Sequence, residues 1–191
     1  MARRKDHSRE ELTQIAIKAG TELVVAEGPE ALTARNVAKL IGYTPGTLYN
    51  LFENIDELCT AINTKTLIRF AAEIEEILSE HSKPRKRLRR ICQAYLNFHH
   101  KKPELWALCF ATPLRSLNED YHRAVHKVFD PVAEALLPIS GTLRAARQDA
   151  KVLWSTLHGI CLLQQSGKLN VAETDPAEIL VKRFLDQFLK R

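Results

Sequence analysis

Apolar residues return at intervals of three and four along most of the chain, the spacing of one helical face, and nowhere alternate singly as a half-buried strand would. The first run, Leu12, Ile15, Ala16, Ala19, Leu23 and Ala26, follows Ser8 and Glu11, spaced as a capping box that satisfies two free N–H groups at a helix start. Gly28-Pro29 stops it. Thr33 is placed to cap a second, short helix with Val37, Ala38 and Ile41 inward, and Gly42 supplies the positive φ that a tight helix-to-helix turn demands. A third helix follows almost at once, with Thr44 as N-cap, Pro45 at the first helical position and Leu48, Leu51 and Phe52 as its buried edge. This is helix-turn-helix spacing.

Beyond Phe52 the elements lengthen. Asn54, Asp56 and Glu57 mark a start, and Leu58, Ile62, Ile68, Ala71, Ile74 and Leu78 carry an apolar stripe through about six turns. Further helices are expected from Pro84 to His100, Pro103 to Ala111, Asn118 to Leu137 and Arg144 to Ser166. A last one begins at Asp175-Pro176, where Asp175 and Glu178 repeat the capping-box pattern ahead of Ile179, Leu180, Phe184, Leu185, Phe188 and Leu189. The pattern predicts an all-α protein of about nine helices: a three-helix domain over residues 1–53 and a larger helical domain over 54–191.

Composition narrows the class. A chain of 191 residues buries a sizeable core without disulfide or metal staples. Cys59, Cys92, Cys109 and Cys161 are far apart in apolar helical contexts, without the close pairs of zinc or redox motifs, and read as reduced core residues of a cytoplasmic protein. The most apolar stretch, Val152 to Leu163, is interrupted by Ser155, Thr156 and His158, so no membrane span is expected. The basic start, Met-Ala-Arg-Arg-Lys, is followed by a polar stretch instead of the apolar run of a signal peptide. A formal charge of +5 suits an anionic partner, yet the first 52 residues hold seven Lys or Arg against six Asp or Glu, so any DNA affinity rests on placement.

A recognition helix needs a sharp turn before it, an apolar inner edge and small or hydrogen-bonding residues where it nears DNA. Residues 33–52 meet all three conditions. Thr33, Thr44, Thr47 and Tyr49 offer hydroxyls to phosphates, which position the protein without reading sequence. Tyr43, Pro45, Gly46 and Asn50 are the candidates for base edges: Pro45 meets a thymine methyl, Gly46 permits close approach and Asn50 pairs with adenine. The run from Leu32 to Phe52, with its Gly-Thr-Leu-Tyr-x-x-Phe core at residues 46–52, resembles the TetR family of regulators. The resemblance implies a homodimer on a palindromic operator, usually released by a ligand, and supports Thr33, Thr47 and Tyr49 as phosphate contacts. A His is common in the family where Leu51 stands and a Lys where Ile55 stands, so those two contacts are not transferred. Trp154, His158 and Gly159 are similar to a Trp, His, Gly pattern in the C-terminal domain of one branch.

That resemblance makes residues 54–191 a ligand-binding and dimerisation domain. Tyr95, Phe98, Trp106, Phe110, Phe129, Trp154 and His158 are its candidate effector-binding residues, suited to a small apolar or aromatic molecule; ordinary core packing explains any single one of them at least as well. The last two long helices carry more apolar surface than one neighbour consumes and are assigned to the dimer interface. Glu119, His122 and His126 share a helical face, but surface placement is the simpler reading than a metal site. Lys83 to Lys102 holds eight basic and no acidic residues and reads as a solvated face. No nucleophile elbow, phosphate loop or paired-carboxylate signature appears, so neither catalysis nor a cofactor is expected. The leading function is a cytoplasmic, ligand-responsive repressor; the alternatives are a constitutive DNA-binding dimer and a helical metal-dependent enzyme.

Overall fold

The computed structural model describes residues 7–80, 82–171 and 173–189. Among them lie nine α-helices: α1 (Arg9–Glu27), α2 (Ala34–Ile41), α3 (Pro45–Leu51), α4 (Ile55–Ser79), α5 (Pro84–Lys101), α6 (Pro103–Ala111), α7 (Glu119–Ser140), α8 (Leu143–Gln165) and α9 (Ala177–Phe188), with short 3-10 turns at Pro29–Ala31 and Leu114–Ser116. The described residues contain no strand. None of the described helices is long and apolar enough to cross a membrane.

Local chemistry sets most boundaries. Ser8 and Glu11 form the full capping box of α1. The Thr33 hydroxyl accepts from Asn36 N–H at 3.2 Å to start α2, which ends at Gly42 with φ of 77°, a conformation that costs a side-chain-bearing residue strain. Asn54 Oδ1 accepts from Glu57 N–H at 3.0 Å to open α4. At α9 the capping box is not formed. The helix starts after Pro176, one residue later than a box on Asp175 and Glu178 requires, and Pro176 has no side-chain acceptor to cap it. Helix α7 outruns the expected Leu137, passes Pro138 and ends at Gly141, whose N–H closes on Leu137 O at 3.0 Å.

Two compact units emerge, one of residues up to Thr66 with Glu104–His122, the other of Leu67–Pro103 with Arg123 onward. In the first, α1, α2 and α3 pack around Ala16, Val24, Val37, Leu48 and Phe52, joined by Leu58 and Ile62 of α4 and by Leu105 and Leu108 of α6. A β-carbon on Gly20 would sit 2.9 Å from Ile62 Cδ1 and 3.1 Å from Leu32 Cδ1, so those side-chain ends would have to shift to admit alanine there. Buried Asn63 ties α4 to α6: its amide donates to Thr112 Oγ1 at 2.8 Å, and its carbonyl accepts from the Cys109 thiol at 3.4 Å.

In the second unit α5, α8 and α9 pack together around Leu88, Leu153, Leu157, Val181 and Leu185. The α4 stripe differs from expectation. Phe70, Ala71, Ile74 and Ile77 are buried while Ile68 is exposed, because a straight helix advances 100° per residue and its inward face drifts from a fixed set of positions over so many turns. The basic run on α5 is a solvated face that reaches across to neighbours: Arg85 donates to Leu189 O, Arg89 pairs with Asp186, and Arg90 pairs with Glu80.

Candidate nucleic-acid interface and ligand site

The turn at Gly42 brings α3 directly after α2, held by Tyr43 N–H donating to Ala38 O at 2.9 Å. Thr44 then starts α3 by accepting from Thr47 N–H at 3.3 Å, and the two hydroxyl oxygens lie 3.1 Å apart. Leu48 and Phe52 anchor the inner face. The opposite face presents Thr44, Pro45, Gly46, Tyr49 and Asn50 to solvent, with Tyr43 and Thr47 half-buried beside them. Tyr49 is 56% exposed, and its hydroxyl makes no hydrogen bond among the described residues. Thr33 is exposed at the start of α2. The eight predicted DNA-contacting residues therefore lie in one unit, on two consecutive helix starts and one helical face. At Gly46 the nearest atom to an added β-carbon is Thr44 Oγ1 at 3.8 Å, and φ is not positive, so folding does not require glycine there.

The predicted effector residues fall in three places. Tyr95, Trp154 and His158 meet in the second unit: the Tyr95 hydroxyl lies 3.1 Å from His158 Nδ1, and the Trp154 and His158 rings stack at 6.2 Å. Phe98 joins through Phe70, whose ring lies 5.2 Å from Phe98 and 6.0 Å from Tyr95. Trp106 and Phe110 pack against each other at 6.1 Å on α6 of the other unit, Trp106 buried and Phe110 exposed. Phe129 lies half-buried in a groove of about 530 Å³ between α7 and α8.

Two residues missed in the sequence complete the aromatic cluster. Phe70 lies outside the apolar stripe that the spacing predicts through Ile68 and Ala71. His99 stands one turn after Tyr95, a spacing that places both on one face of α5 and was the available signal. His99 is 5% exposed and its Nε2 has no hydrogen-bond partner among the described residues. Burial, and secondarily His100, holds its imidazole below the usual range; burial, then His99, does the same to His158. Both imidazoles are thereby biased toward the neutral form, which offers one donor and one acceptor nitrogen. The His126 Nδ1 is 3.2 Å from Asp130 Oδ2, and no described group of three or more His, Cys, Asp or Glu side chains is placed to hold a metal ion.

Comparison with known proteins matches two stretches of the chain to family models. Residues 16–62 match the family model for bacterial regulatory proteins, tetR family, and residues 88–188 match the tetracyclin repressor-like C-terminal domain. The chain is 26% identical to an HTH-type transcriptional regulator of Mycobacterium tuberculosis, Rv0681, over 152 residues, 78% of this chain and 68% of the relative. Among solved structures it is similar in fold to a Rhodococcus sp. RHA1 protein of unknown function, at TM-score 0.78 and 22% identity, covering 98% of this chain and 97% of that one. It is also similar to the Bacillus subtilis transcriptional regulator FadR in complex with stearoyl-CoA, at TM-score 0.70 and 14% identity, covering 93% of this chain and 97% of that one.

Proposed function

The chain belongs to the TetR family of bacterial regulatory proteins, and from that premise we propose that it is a cytoplasmic homodimeric repressor, released from a palindromic operator by a small apolar effector. In this reading residues 1–53 are the DNA-binding head, and residues 54–191 bind the effector and dimerise. The carrying observation is the face of α3. Pro45, Gly46, Tyr49 and Asn50 stand exposed on a helix whose other side is fully anchored, and Gly46 has room for a β-carbon that the sequence does not use. Close approach of a nucleic-acid backbone accounts for glycine where folding does not.

Dimerisation is supported by α8 and α9. Leu153, Leu157 and Cys161 point into the unit, yet Val152, Leu162 and Leu163 of the same helix and Ile179 of α9 are exposed, an apolar surplus that a twofold mate would cover. Such a mate sets two recognition helices about 34 Å apart, the repeat of successive major grooves. Effector binding is supported by the Tyr95, Phe98, Trp154 and His158 cluster, apolar with a few convergent polar atoms. The acyl-thioester complex of the FadR neighbour makes a long-chain acyl group a natural first candidate.

Selection of bound sequences from a random DNA pool tests the whole reading. A palindrome is expected, with binding lost by Gly46→Val while the fold persists. Enrichment of no palindrome would overturn it, and unchanged affinity of Gly46→Val would remove the carrying observation. Constitutive binding leads instead if acyl thioesters and aromatic acids raise the melting temperature without altering operator affinity.

A further inference from the structure

The groove between α7 and α8 is separate in chemistry from the aromatic cluster. Its α8 wall carries Arg144, Arg147 and Lys151, spaced so that all three project from one helical face. Asp130 on α7 is the carboxylate among its lining residues, and it is occupied twice: Arg147 approaches one oxygen at 3.3 Å and His126 the other at 3.2 Å. Arg144 and Lys151 form no ion pair among the described residues. Three permanent cations against one carboxylate leave the groove at a formal +2. The apolar contribution comes from Phe129, half-buried, and Leu143, half exposed. A concavity of about 530 Å³ is the size of sites that take one small molecule.

We propose that this groove binds a phosphorylated ligand bearing a flat ring, with phosphate oxygens on Arg144 and Lys151 and the ring against Phe129. A guanidinium matches phosphate oxygens two at a time, an ammonium adds a point charge, and an aromatic face receives a planar ring. A purely apolar ligand leaves both cations unused, and a bare anion leaves Phe129 and Leu143 in water. Phosphate beside a flat ring occurs in free nucleotides and in the nucleotide handle of coenzyme A thioesters, so both sources enter the test.

Calorimetric titration of the full chain with ADP, coenzyme A, decanoyl-coenzyme A and inorganic pyrophosphate decides it. We expect one site per chain, weakened by salt, with affinity falling at least about tenfold, roughly 1.4 kcal/mol, when Arg144→Gln and Lys151→Gln are combined. Both side chains are exposed, so the melting temperature of the unliganded protein stays unchanged. Phe129→Leu, which keeps apolar volume and removes the flat face, weakens ADP and not pyrophosphate. Equal binding of ADP and coenzyme A identifies a free nucleotide site; binding of coenzyme A and its thioester without ADP identifies a seat for the handle of an acyl carrier, and binding of the thioester alone overturns the proposal. Absence of binding by ADP, coenzyme A and the thioester at millimolar concentration overturns the proposal, as does binding that the double variant leaves intact. Pyrophosphate binding as tightly as ADP, or ADP binding unaffected by Phe129→Leu, overturns the ring assignment. None of these outcomes depends on operator binding, which is measured separately.

Discussion

Removing one oxygen atom from Tyr49 isolates positioning on DNA from everything else the protein does. The ring is 56% exposed and its hydroxyl has no hydrogen-bond partner among the described residues, so Tyr49→Phe should change folding stability by less than about 0.5 kcal/mol. If the hydroxyl donates to a phosphate, the lost bond is charge-assisted, worth about 1.5–3 kcal/mol. At about 1.4 kcal/mol per factor of ten, affinity drops roughly 10- to 150-fold per half-site, and the two half-sites of a dimer multiply. A neutral donor displaces no counterions. The slope of log affinity against log salt should therefore stay at the wild-type value while the line shifts down in parallel. Fluorescence anisotropy with the selected operator and a set of single-base variants, between about 50 and 200 mM salt, reads all of this. The loss should be the same on every variant site, because a phosphate carries no sequence information. Unchanged affinity, a changed slope or a loss confined to one base pair would refute the phosphate assignment.

Other outcomes follow from burial. Leu162→Glu should give a folded monomer with unaltered circular dichroism and no operator binding, since Leu162 is 47% exposed in the single chain; light scattering that still showed a dimer would move the interface elsewhere. His99 and His158 are held below their ordinary value of 6.5, so above that pH both states are neutral. As pH falls through 6.5 the unfolded chain takes protons that the folded one refuses, and stability declines until the depressed folded values are passed. Urea midpoints should therefore drop on acidification, with a shallower slope in His99→Leu, and a rise would contradict the buried-imidazole account. Burial pushes Cys92 and Cys109 up to about 12 and Cys59 and Cys161 to about 11, so a disulfide reagent at mildly alkaline pH should label the native protein slowly and all four thiols quickly once it is unfolded. Rapid labelling of the native chain would refute it.

The features legible in the chain are those closed within a few residues. Ser8 with Glu11, Thr33 with Asn36, Gly42 after Ile41 and Thr44 before Pro45 each complete a cap or turn locally, so residue type and spacing suffice to place them. The face of α3 follows directly, because Leu48 and Phe52 fix its inner side and helical geometry presents Pro45, Gly46, Tyr49 and Asn50 on the other. Tertiary packing alone decided the rest. Tyr95 and His158 meet across 63 residues of chain, and Asn63 reaches Thr112 across 49, contacts that no local spacing encodes. Packing placed Trp106 and Phe110 in the first unit with Leu105 and Leu108, and left Phe129 beside Arg144 and Lys151. It turned Phe70 inward on α4 and Ile68 outward. Periodicity states that a helix has an apolar side; which neighbour that side meets is set by the free energy of burying all the sides at once.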